Sequence, residues 1–172
     1  MTRAETPMKQ ELSEGQLEIR LAQPGDEDTV ERLIGEAFEP FRAAYSPGGF
    51  ADTTATAEVI RERMETAKIW IAFDGDEAVG TVTALADEGG GIYIRSMAVT
   101  PSAQGKGVGQ KLLDALEHDA HHCDEKRLHL YTTFVLPGAQ RLYEKNGFRV
   151  VRETAPEEWH DMGGVEMEKL LN

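Results

Sequence analysis

A single cysteine, Cys123, stands in the 172 residues, so no disulfide can form within the chain, and a reducing compartment, the cytoplasm, is the expected location. The sequence has no apolar run long enough to span a bilayer, which excludes a membrane helix. The first sixteen residues lack the apolar stretch of a secretory signal and show no periodicity. A flexible tail over 1–16 is therefore expected, followed by one domain over 17–172. Positive charge is scarce too: 18 Lys and Arg face 31 Asp and Glu, for a net charge of −13. Nucleic-acid binding is excluded on that ground, because phosphate contacts need Lys and Arg. Such a charge steers cationic substrates inward, or simply solvates the surface.

One further absence is local. Between Gly89 and Leu113 there is not one Asp or Glu, where the chain's average density would put roughly four or five. An anion-binding patch in an acidic protein has to be cleared in this way.

What is present reads as alternating strands and helices. Leu17–Leu21 alternates like a strand, and Asp26 or Asp28 can cap a helix carrying Val30, Leu33, Ile34, Ala37 and Phe38. The stretch 39–52, with two prolines and the pair Gly48-Gly49, reads as a loop, and Val59, Ile60, Met64 and Ala67 mark a second helix. Asp74-Gly75 between two β-prone runs signals a hairpin, and Ile92–Val99 reads as the next strand. Leu112, Leu113, Leu116 and Ala120 form a helical stripe, Leu128–Thr133 a strand, and Ala139, Leu142 and Tyr143 another helix face stopped by Asn146-Gly147. Phe148–Val151 and Val165–Met167 are the last strand candidates. Hairpin-joined strands followed by strand-helix-strand imply an α+β fold, a mixed sheet with helices on its faces.

The chemistry concentrates at Gln104-Gly105-Lys106-Gly107-Val108-Gly109, between a strand and a helix. A helix N-terminus leaves about four N–H groups unpaired and favours negative charge. Glycines at 105, 107 and 109 let a pyrophosphate approach the backbone; Lys106 adds a cation and Gln104 an amide. A Walker loop is ruled out because Gly107 follows Lys106, and a dinucleotide fingerprint because the spacing is Gly-x-Gly-x-Gly.

The segment Met97-Ala98-Val99-Thr100-Pro101 through Gln104-Gly105-Lys106-Gly107-Val108-Gly109 resembles the acyl-CoA signature of the GNAT superfamily of N-acetyltransferases. Downstream, Ala139-Gln140-Arg141-Leu142-Tyr143-Glu144-Lys145-Asn146-Gly147-Phe148 resembles the same family's second motif. The resemblance is close over 78–151. It implies a mostly antiparallel mixed sheet in which two adjacent strands splay apart around the acyl-pantetheine arm. It also implies acetyl-CoA as co-substrate without a metal, an amine acceptor, and the homodimer common in the family. By the same resemblance the backbone of Met97, Ala98 and Val99 meets the pantetheine, the amides of 104–109 hold the pyrophosphate, and Tyr143 protonates the departing thiolate.

The sequence departs from the family pattern in two places. Neither Ile92–Val99 nor Leu128–Val135 carries the carboxylate that often serves as base, and Leu136 replaces the asparagine that often opens the second motif. His129, Glu88 or water remain as proton acceptors, and an acyl-CoA sensor without turnover is the alternative to an enzyme. Phe38, Phe41, Arg42 and Tyr45, and more weakly Trp159 and His160, are candidates for the acceptor wall. Arg95 is a candidate for recognising an acidic group or for an internal ion pair. His118, His122 and Cys123 lack the partners of a four-ligand metal site.

Overall fold

A computed structural model describes residues 17–172, and the expected tail over 1–16 lies outside them. The strands are β1 Leu17–Leu21, β2 Ala67–Asp74, β3 Glu77–Ala86, β4 Ile92–Val99, β5 Arg127–Thr133, β6 Arg149–Thr154 and β7 Gly164–Leu170. The helices are α1 Glu27–Phe38, α2 Pro47–Thr53, α3 Ala57–Arg63, α4 Val108–His122 and α5 Pro137–Lys145. One sheet runs β1-β2-β3-β4-β5-β7-β6, antiparallel throughout except for the parallel pair β4–β5. This is the mixed, mostly antiparallel α+β sheet that the patterning and the resemblance imply.

Each face of the sheet carries its own core. Leu112, Leu113 and Leu116 of α4 and Tyr143 of α5 pack with Trp70, Val82, Ile94, Leu128 and Met167 on one face. Val30, Leu33 and Ile34 of α1 and Ile60 of α3 pack with Ile69, Ile71 and Ala98 on the other. Alternation along β2 explains the split: Ile69 and Ile71 point one way, Trp70 and Ala72 the other. Gly80 on β3 lies under the start of α4. A Cβ there would meet Val108 Cγ1 at 2.7 Å, Leu112 Cδ1 at 3.1 Å and the Ala98 carbonyl at 3.2 Å. Gly80→Ala should therefore destabilise the fold by about 1–3 kcal/mol through overpacking, read as a lower urea midpoint at unchanged slope.

Three details depart from the sequence reading. Asp26 is the N-cap residue of α1, but its carboxylate accepts from Arg20 Nη1 (2.7 Å) and from the Gln23 N–H (2.7 Å) rather than from the helix. A cation at the end of β1 outcompetes the capping amides. The stretch read as a loop over 39–52 holds a 3₁₀ turn over Glu39–Ala44 and the helix α2, whose first turn is closed by the Gly49 N–H donating to Ser46 Oγ (3.1 Å). Gly48 and Gly49 have a packing reason for being there. A Cβ on either would come within 2.8 Å of His160 Nδ1 or 2.6 Å of Met162 Sδ, so glycine lets the turn before β7 lie against α2.

The third detail is a bulge in β4. Its register to β3 runs Thr83↔Arg95 and then Thr81↔Ala98, so Val82 faces both Ser96 and Met97. Ser96 takes a left-handed backbone, φ +54°, a conformation that residues other than glycine rarely adopt. β4 pairs with β5 only at Ile92↔Leu128, Tyr93↔His129 and Ile94↔Leu130. Beyond Ile94 the two strands part, β4 staying on β3 to Val99 and β5 on β7 to Thr133.

Candidate active site

The gap between β4 and β5 opens into two cavities that share Phe38, Met97, Leu136 and Ala139 in their walls. The larger, about 580 Å³, runs from Met97-Ala98-Val99 to the start of α4 and is closed by Leu142 and Lys145 of α5. The smaller, about 220 Å³, lies on the α2 side between Arg95 of β4 and Tyr131 of β5, with Tyr45, Asp52, Tyr143 and Trp159 around it.

Of the nine residues predicted to hold the coenzyme, Met97, Ala98, Val99, Gln104, Gly105, Gly107, Val108 and Gly109 line the larger cavity. Lys106 does not; it is exposed on the loop outside the wall. The three glycines have different reasons for their positions. Gly105 (φ +78°) and Gly107 (φ +79°) are left-handed, and a Cβ on either would have nothing within 4 Å, so their need is conformational. At Gly109 a Cβ would sit 3.1 Å from Leu142 Cδ2, so that glycine lets α4 and α5 close together. Gly107 caps α4 with no side-chain hydrogen bond, and the first intrahelical donor is the Lys111 N–H, to the Gly107 carbonyl at 3.1 Å. The amides of 108–110 thus precede the helical ladder and are left for a ligand. Gln104 is used differently from the sequence reading: its amide Nε2 donates to the Val99 carbonyl at 3.2 Å, tying the loop to the end of β4.

Tyr143 is buried against Phe148, ring centroids 5.6 Å apart, and lines the smaller cavity. Burial pushes its hydroxyl well above the ordinary tyrosine value, with the nearby Tyr93 adding to the effect, so the phenol is neutral and carries its proton at any working pH. One amide contact holds α5 to the start of α4, and a second closes the end of α5 on itself. Asn146 Nδ2 donates to Gln110 Oε1 at 2.9 Å and to the Leu142 carbonyl at 2.8 Å.

The remaining candidates separate. Phe38 and Tyr45 line the smaller cavity and Phe41 the larger. Arg42 lies elsewhere, stacked over Phe50 at 4.1 Å and paired with Glu39. Trp159 lines the smaller cavity, tilted against Tyr131, and its Nε1 donates to Asp52 Oδ2 at 2.9 Å. His129 and Glu88 border neither cavity. His129 is bonded through Nε2 to Asp87, whose carboxyl it holds below the usual carboxylate range. The carboxylate that does border the acceptor side is Asp52, and it is the only acid lining either cavity among the described residues. Sequence reasoning missed it because it comes from α2, far from both motifs. No group of three His, Cys, Asp or Glu able to hold a metal occurs among the described residues, and no helix there is long and apolar enough to cross a membrane.

A long cleft with exposed helix amides at one end and a neutral, buried phenol at the other suits an extended acyl carrier with a phosphate tail. The chain matches the Acetyltransferase (GNAT) family over residues 30–148, and it belongs to that family. Its class of activity is acetyl transfer. Solved structures share the fold: the PaiA N-acetyltransferase of Thermoplasma acidophilum in complex with coenzyme A (19% identity, 90% of this chain and 99% of that one, TM-score 0.73); the ribosomal-protein-S18-alanine N-acetyltransferase of Escherichia coli (14%, 91% and 94%, 0.74); and a GNAT-family acetyltransferase of Staphylococcus aureus Mu50 (18%, 91% and 99%, 0.74). At such identities the likeness is one of fold. No curated protein matches by sequence.

Proposed function

We propose that residues 17–172 act as one unit that moves the acetyl group of acetyl-CoA to a primary amine, on a small molecule or a protein, by direct attack in a ternary complex. The observation that carries this is the continuity of the two cavities through Met97, with glycine-framed helix amides in one and Tyr143 in the other. Coenzyme A supplies an activated thioester; everything else falls to the chain. The amides of 105–109 hold the pyrophosphate, where the α4 dipole favours negative charge and no acid lies between Gly89 and Leu113 to oppose it. The bulge at Ser96 frees the backbone of Met97–Val99 on the side facing the gap, where the pantetheine amides pair with it as an added strand edge.

As the amine nitrogen bonds to the acetyl carbon, the carbon–sulfur bond breaks and the nitrogen gives up a proton. The Tyr143 hydroxyl supplies a proton to the sulfur, and the phenol regains one from solvent. The amine has to arrive neutral, and an alkylammonium has a solution pKa near 10.4. Asp52 is the acid on that side able to receive its proton, directly or through water. A cytoplasmic location belongs to the same reading and rests on the lone, exposed Cys123.

Acetyl-CoA at about a hundred times its dissociation constant should stabilise the protein by about 2.7 kcal/mol, a rise in melting temperature of roughly 5–10 °C in a thermal-shift assay. No shift at saturation would sink the proposal.

A further inference from the structure

The acceptor side of the cleft carries two arginines that no salt bridge takes up among the described residues, with Asp52 the one acid in the same lining. Arg95 lines the smaller cavity but not the larger, so it faces the acceptor rather than the coenzyme. Its backbone is pinned opposite Thr83, and its Nε is buried with no hydrogen-bond partner among the described residues. Arg63, at the end of α3, sends Nη1 to within 3.5 Å of Ser96 Oγ, and Ser96 lines the same cavity. Burial, and then the Arg95 charge beside it, pull the Arg63 guanidinium below its ordinary value. Among the described residues neither arginine makes a salt bridge, although ion pairs take up Arg20, Arg32, Arg42, Arg61, Arg127, Arg149 and Arg152 elsewhere. A chain with 31 acids could readily have supplied a partner.

Leaving a buried guanidinium donor unpaired is costly, and two adjacent guanidinium charges repel. Both costs are relieved when an anion enters. Two of the other donors of the cavity are committed: the Tyr131 hydroxyl donates to the Met162 carbonyl at 3.0 Å, and the Trp159 indole N–H to Asp52. The buried Thr133 Oγ1 is a further group without a partner among the described residues. The guanidinium fork of Arg95 matches a planar carboxylate in two parallel hydrogen bonds. Asp52 borders the same space, and its charge partly offsets the lowering at Arg63. Its Oδ2 accepts from Trp159 and faces His160 Nε2 at 3.5 Å, and among the described residues it makes no salt bridge with either arginine.

Resting on the acetyltransferase reading above, we propose that the acceptor is a small amine that also bears a carboxylate, an amino acid in the broad sense, with the carboxylate seated on Arg95 and supported by Arg63. The volume of about 220 Å³ suits a small molecule, and Tyr45, Tyr93 and Trp159 give its carbon skeleton an aromatic wall. The net charge of −13 does not oppose such a substrate at long range, since an amino acid is neutral overall while its amine is protonated.

The test compares unbranched and aromatic amino acids with their carboxamides, which lack the anionic group, alongside a simple diamine as control. Each rate is referred to the neutral-amine fraction, because the carboxylate also makes a neighbouring amine more basic. Acetyl-CoA-dependent thiol release should favour the acid over its amide by at least about tenfold in kcat/KM, the scale of a charged hydrogen-bonded contact. Calorimetry should show the N-acetylated acid binding more tightly than the N-acetylated amide. Arg95→Gln should remove both preferences, Arg95→Lys should restore part of them, and Arg63→Gln should weaken them. The acetyl-CoA thermal shift should persist in all three variants as the check that they fold. Equal handling of acid and amide, or a preference that survives Arg95→Gln, overturns this inference and leaves the transferase reading standing. Release of thiol with the diamine but with no amino acid does the same. No release with any amine, despite coenzyme binding, overturns both.

Discussion

Replacing Tyr143 by phenylalanine should lower kcat by about 10²-fold or more while leaving the dissociation constant for acetyl-CoA within about twofold. The variant removes one oxygen from a side chain already packed on Phe148, so the α5 face and the coenzyme cavity keep their shape. On the proposed mechanism, what it removes is the proton held for sulfur. Burial raises the Tyr143 pKa, so the protonated, competent form is fully present below that raised value and is lost only above it. The pH profile of kcat should therefore show no falling alkaline limb from this phenol up to about pH 10, the ordinary tyrosine value. Steady-state kinetics with calorimetric coenzyme titration reads both quantities. An equal loss in binding and turnover would mean that Tyr143 only packs.

The second large effect is expected at the coenzyme end. Gly107→Val places a β-branched side chain at φ +79°, a conformation that costs a non-glycine residue about 1–2 kcal/mol and a β-branched one more. Nothing lies within 4 Å of the added Cβ, so the strain has no collision to relieve, and the loop relaxes by rotating the amides at the start of α4. The affinity for acetyl-CoA should fall by about tenfold or more, with the melting temperature of the free protein moving only a few degrees. Gly105→Val should act in the same direction. Coenzyme affinity unchanged in Gly107→Val would remove the pyrophosphate from this loop.

Most of the fold follows from local patterns. The β2–β3 hairpin, the stripe of α4, and the stop at Gly147 (φ +89°) each come from a short run of residues whose preferences agree with their final setting. The glycine-framed start of α4, where we propose the pyrophosphate sits, was legible for the same reason. A glycine-framed helix N-terminus is contiguous in sequence, and the absence of acids around it is visible in composition. Where local patterns misled, a distant segment decided the outcome: Gly48 and Gly49 look like loop residues until His160 and Met162 pack on them and make α2 a helix. Gln104 looks like a ligand until its amide meets the Val99 carbonyl.

The side of the smaller cavity was legible only in part: Phe38, Tyr45, Arg95 and Trp159 were candidates from the sequence, whereas Asp52 and Arg63 were not. Tyr45 and Asp52 come from α2 and the turn before it, Arg63 from α3, Arg95 from β4, Tyr131 from β5 and Trp159 from the turn before β7. No spacing rule joins them, and Asp52 carries no mark in the sequence. His129 had the right chemistry for a base, but the fold commits it to Asp87 at the paired end of β4 and β5.

The residues alone determined most of the strands and helices and the acid-free, glycine-framed start of α4, because each depends on neighbours within about one turn or one hairpin. The role proposed for Tyr143 came from the family resemblance. Tertiary structure decided that β4 and β5 part after Ile94 and that β7 lies between β5 and β6. It also decided which side chains look into the gap. Strand pairing and packing are settled by contacts between segments far apart in the chain, and their closeness is a property of the folded molecule that no local stretch encodes.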